Sequence, residues 1–132
     1  SMVTGMMHAH SGWRYVVIAV AVITIVKMLL GWFGGGKWST LDQRLGVAMP
    51  VVLDIQLLLG VILWILQQRW IAVDALTSWE HPVTMLIAVI IAHYTWVRVK
   101  RSDNDSDKYR TASIGYIVAS LVVALGVFRI TA

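Results

Sequence analysis

Four long apolar stretches, residues 13–33, 45–66, 82–99 and 112–130, occupy most of the 132-residue chain and leave only short connections between them. Each is close to the ~20 residues that an α-helix needs to cross a hydrocarbon core, where every backbone amide must be paired within its own segment. None alternates polar and apolar residues as a strand of a membrane barrel does. The expectation is an all-α integral membrane protein: one domain, four transmembrane helices packed as a bundle, with the lipid bilayer as its surroundings. Composition agrees, since 58% of residues are apolar and only 14% charged.

The formal net charge of +4 raises the question of nucleic acid, and the placement of the cations answers it. Lys37 and Arg44 lie between the first two stretches, and Arg98, Lys100, Arg101, Lys108 and Arg110 between the last two. Helices that alternate in direction put both groups on one side of the membrane, and Lys27 can snorkel toward that side. Arg14, Arg69 and Arg129 remain for the other. Such a charge bias marks the cytoplasmic face, so both termini are expected outside and no nucleic-acid partner is expected. Tryptophan gives the same layering, with Trp13, Trp64, Trp70 and Trp79 at the outer boundary and Trp32, Trp38 and Trp96 at the inner one. The N-terminus has no basic n-region, and stretch 13–33 is too long for an h-region, so a cleaved leader is not expected. There is no cysteine, which excludes disulfides, thiolate metal sites and covalent c-type haem attachment.

The connections carry little chemistry. Gly34, Gly35 and Gly36 suit a helix end that needs φ > 0, and Ser39 to Asp42 offers caps for the second helix. Asp103-Asn104-Asp105-Ser106-Asp107 mimics the opening of an EF-hand loop. Lys108 nevertheless stands at the required Gly position and Ile114 at the required Glu position, so a solvated turn is the reading.

The informative residues are the histidines. His8 and His10 precede the first apolar stretch and His81 opens the third, all at the outer boundary. His93 lies twelve residues beyond His81, about 18 Å deeper and about 120° around the helix, so the two cannot share a compact site. A haem b held by two imidazoles from different helices suits the outer group, with His10 and His81 as the axial pair. His81, Met85, Ala88 and Ala92 follow one another at helical spacing, so small side chains lie beneath His81 where a flat ring could rest. Gly12 removes bulk beside His10, and Arg14, one turn below, could pair with a propionate. The plainer alternatives are a helix-entry role for His81 before Pro82, a solvated role for His8, and close helix packing for Ala88 and Ala92.

Deeper in the bilayer, Asp54 and Gln56 interrupt the second stretch, and an ionised Asp there costs roughly 2.5–3.5 kcal/mol on insertion scales. It should face protein and be paired. Asp54 lies about 15 Å above Arg44, and His93 about 7.5 Å above Arg98, which makes an Asp54–His93 bond feasible, with Lys27 the competing partner. Either a proton relay or a satisfied interhelical contact would account for such a buried polar pair.

The run His8-Ala9-His10-Ser11-Gly12-Trp13-Arg14-Tyr15, the turn Leu41-Asp42-Gln43-Arg44, Gln56-Leu57-Leu58-Leu59-Gly60, and Glu80-His81 followed by Met85-Leu86-Ile87-Ala88 together span nearly the whole chain. This pattern resembles a family of small four-helix bacterial membrane proteins often labelled cytochrome b-like. The resemblance implies that His8, His10 and His81 belong to a shared pattern, that Asp54 stands where some relatives carry His, and that the protein belongs in the bacterial cytoplasmic membrane.

Three functions stay open at this point. The first is a b-type cytochrome passing single electrons between an unidentified donor and acceptor, rather than a catalyst with its own substrate. The second is an outer-face metal protein, with His10, His81 and His8 as ligands, or a copper protein in which Met2, Met6 and Met7 add thioether donors. The third is a cofactor-free bundle that serves as a small subunit. A homodimer is a further expectation, through an exposed face of small residues.

Overall fold

The computed structural model describes residues 1–71 and 74–131. It is a four-helix bundle: α1 (Met2–Phe33), α2 (Thr40–Leu66), α3 (His81–Arg101) and α4 (Asp105–Thr131). A 3-10 turn at Arg69–Ile71 and a π-helical turn at Leu76–Glu80 lie between α2 and α3. All four helical segments are long and apolar enough to cross a membrane, which is compatible with a multi-pass membrane protein. Short connections force neighbours to run antiparallel, so both termini and the α2–α3 connection lie at one end, the terminal end. The basic connections lie at the other.

Helices α1, α2 and α4 begin well before their apolar stretches do, because polar caps outside the hydrophobic run supply partners for the first-turn amides. Ser39 and Asp42 form a reciprocal capping box on α2. Asn104 accepts from the Asp107 amide at the start of α4, so the acidic run 103–107 is a helix entry. Asp105 in turn accepts from the Trp38 amide at 3.1 Å. At the end of α1, Gly35 takes φ +62°, where a side chain would be strained.

Small residues decide which helices approach. α3 packs most extensively on α4 and α1 on α2, while α2 meets α3 over less of its length. Ala88, Ala92, Ala112 and Ala119 are completely buried. A Cβ on Gly115 would run into the Thr95 side chain, and one on Gly46 into the Trp96 ring, so the missing side chains set these spacings. Trp96 is therefore buried in the bundle.

Pro50 sits inside α2 and has no amide to give the Gly46 carbonyl; Tyr116 on α4 fills that place, its hydroxyl donating at 2.6 Å. Pro82 likewise gives nothing to the Ser78 carbonyl, which accepts from the Trp64 indole at 2.7 Å. That bond ties the end of α2 to the π-helical turn directly ahead of His81. The Trp64 ring also packs against Trp70 and Trp79, with centroids 5.3 and 5.4 Å away.

Candidate functional site

At the terminal end, helical geometry running back to Met2 fixes the histidines of α1. His8 is exposed, whereas His10, two residues on and about 200° around the helix at ~100° per residue, turns toward the bundle. The two therefore do not share a site. The His10 ring lies on Gly60 of α2, where an added Cβ would come 3.1 Å from Cε1. Gln56 pins the same turn by donating to the His10 carbonyl oxygen at 3.0 Å. His10 Nδ1 is enclosed and has no hydrogen-bond partner among the described residues.

His81 opens α3 at the junction with the π-helical turn, a local widening often found where a side chain must be aimed. Its Nδ1 lies 3.3 Å from the Gly126 carbonyl oxygen of α4. With the proton on Nδ1 donating there, Nε2 keeps its lone pair, which is how metal-binding imidazoles are commonly held. His10 lies within electrostatic reach of His81, and both lie within reach of Arg69. The two imidazoles thus lie at the same end of the bundle, on α1 and α3, within electrostatic reach of each other.

The neighbours differ from expectation. Arg14 is exposed and donates to the Tyr15 hydroxyl at 2.9 Å, its guanidinium 4.9 Å from the centre of that ring. The cation beside the histidines is Arg69, which sequence reasoning left among the outer charges. Its Nε donates to Gln67 at 2.6 Å, and partial burial draws its pKa below the usual arginine value. The only hint in the sequence is its place in the connection just after α2. Met85 packs its methyl end against Gly126, and Ala88 and Ala92 are closed within the helix packing. The small residues beneath His81 therefore serve helix approach, and the space over Ala88 and Ala92 is not where a flat ring could rest. Gly12 faces open space.

Halfway down the bundle, His93 Nε2 and Asp54 Oδ1 meet at 2.7 Å, the pairing anticipated from their depths. The pair is not buried, however. The two side chains are 52% and 45% exposed on the outer face of α2 and α3, because the shallow α2–α3 contact leaves them at its rim. Lys27 is not a competitor, since it reaches the basic end and meets Asp42 at 2.6 Å. Asp42 is completely buried and also accepts from Tyr109, at 2.6 Å, and from the Ser39 amide and hydroxyl. What reads as a capping residue in the sequence is thus the hub of a charged cluster joining α1, α2 and α4.

Among the described residues there is no group of three or more His, Cys, Asp or Glu side chains that could hold a metal ion. The terminal site offers two imidazoles. A scan against protein-family models and searches of curated proteins and of solved structures find nothing that matches the chain.

Proposed function

We propose that this chain is a small b-type cytochrome of a bacterial cytoplasmic membrane, with both termini outside, holding one haem b through His10 and His81. The observation that carries this reading is the placement of two imidazoles, on α1 and α3, at one end of the bundle within electrostatic reach of each other, His81 with its Nδ1 held by the Gly126 carbonyl and His10 with its Nδ1 unpartnered among the described residues. Bis-imidazole ligation asks for little more than this from a protein, because the porphyrin supplies the other four donors. Haem, when bound, supplies one-electron chemistry with a potential set by its ligands and burial. Gln56 and Gly60 fix and accommodate His10, the Trp64–Ser78 bond steadies the turn that aims His81, and Arg69 provides positive charge suited to propionates.

Titration of detergent-purified protein with haemin tests this. Wild type should give a saturable low-spin spectrum at one haem per chain, His10→Ala and His81→Ala should each lose it, and His93→Ala should keep it. Absence of saturable binding would overturn the reading in favour of a cofactor-free bundle.

A Cu(I) site is the second reading, favoured by one observation. With α1 helical from Met2, Met6 stands four residues before His10 on the same face, so thioether and imidazole donors line up there. Saturable Cu(I) binding that survives His81→Ala but not Met6→Leu, without haem binding, would support it.

A further inference from the structure

We infer that the outer face of α2 and α3 is a docking surface for a second copy of this chain, joined through Asp54 and His93 of both copies. This does not depend on the haem reading. Asp54 stands fourteen residues into α2, about 21 Å along its axis, and is therefore far from either end of the span. Its pair with His93 is about half exposed there, on a surface that α1 and α4 do not reach. Ionisable groups at such depth belong against protein rather than hydrocarbon.

The pair is self-complementary. Once Nε2 and Oδ1 are bonded, His93 Nδ1 and Asp54 Oδ2 have no further partner among the described residues. Enclosed between two copies, the pair is favoured in its net-neutral form, with one proton on Nδ1 and one between Nε2 and Oδ1. Whichever residue owns the shared proton, Nδ1–H is a donor and Oδ2 an acceptor. A second copy presents the same two groups, so two Nδ1–H to Oδ2 bonds close a ring of four side chains. Symmetry supplies the register. Copies inserted in one orientation are related by a two-fold axis along the membrane normal, which keeps every residue at its own depth. The pair of one copy then meets the pair of the other without any sliding of helices. Leu58 and Val61 on α2, with Leu86, Ile90 and Val97 on α3, are exposed at helical spacing from the two polar residues and provide the apolar surround.

The chain has no cysteine, so single cysteines report proximity cleanly. In vesicles of low protein density, Leu58→Cys and Ile90→Cys should give disulfide-linked dimers on oxidation, whereas Ile23→Cys on α1 and Leu121→Cys on α4 should not. Single-molecule counting of labelled wild type in the same vesicles should find two copies per complex. The double variant Asp54→Leu/His93→Leu removes polar groups only and so still inserts; its dimer should be weaker by roughly tenfold or more. Asp54→Asn retains an acceptor at this position and should lose less. Wild type that stays monomeric, cross-links confined to α1 and α4, an undiminished dimer of the leucine variant, or wild type found paired with a different membrane protein would each overturn the proposal.

Discussion

At the scale of single residues, the two prolines show how a helix interior lacking an amide is kept satisfied in an apolar setting. The Tyr116 hydroxyl donates to the carbonyl of Gly46 and the Trp64 indole to that of Ser78. Tyr116→Phe removes one such donor with little change of shape, leaving a buried carbonyl unpaired at a cost of about 1–3 kcal/mol. The loss should be read as a lower midpoint in denaturation by a harsh detergent. Trp64→Phe removes the indole donor to Ser78 and should lower the same midpoint; since Ser78 lies just ahead of His81, it should also weaken the haem binding proposed above. Asp42 is the costlier position. Asp42→Ala would strand the Lys27 ammonium and the Tyr109 hydroxyl together, and removing one partner of a buried pair costs roughly 3–5 kcal/mol. Lys27 is 32% exposed and so retains some hydration, which places the expected loss at the lower end of that range.

Among the elements, the close approach of α3 and α4 and the turn ahead of α3 are the features that aim His81. Gly115→Ala would drive a methyl into the body of Thr95 on α3, so the helices must part; a loss of about 1–3 kcal/mol is expected from overpacking. Gly126→Ala meets chiefly the flexible end of Met85, with Thr84 Cγ2 at 3.2 Å, and should cost less. In the connection before α3, Asp74 accepts from the Thr77 amide at 2.7 Å, and this bond holds its carboxyl below the usual range. A depressed folded pKa means that the stabilisation is complete above the ordinary carboxylate value and is lost as the pH falls through the folded one. The Thr77 amide resonance should accordingly move with an acid midpoint below that of an ordinary Asp, and the movement should vanish in Asp74→Asn.

The four helices are legible in the sequence because membrane insertion imposes length and apolarity on each stretch separately. Their true ends are less so, since Ser1, Ser39 and Asn104 extend them by local capping beyond the apolar run. Depth along a helix can be counted from the sequence, which is why Asp54 could be paired with His93 in advance and His10 placed at the same end as His81. Rotation about a helix relative to its neighbours cannot. Ala88 and Ala92 look equally suited to a ring and to a neighbouring helix until α4 is seen to fill the space. The outward aim of Asp54, the inward role of Asp42 and the nearness of Arg69 to the histidines all depend on that same hidden angle.

For the whole molecule, the charge asymmetry makes the orientation testable. A cysteine introduced near Ser106 should resist an impermeant thiol reagent applied to intact cells, while one near Thr131 should react; the reverse pattern would place the histidine end in the cytoplasm. Antiparallel packing puts His10, His81 and Arg69 at the end opposite the basic connections, so the orientation determines which compartment the histidine end faces. The most direct measurement of the central claim is near-infrared magnetic circular dichroism of ferric, haem-loaded wild type, which identifies axial ligands by their charge-transfer band. The expected result is the bis-imidazole band, lost in His10→Ala and in His81→Ala. A histidine–methionine band, a five-coordinate high-spin spectrum, or protein that retains no haem would contradict it.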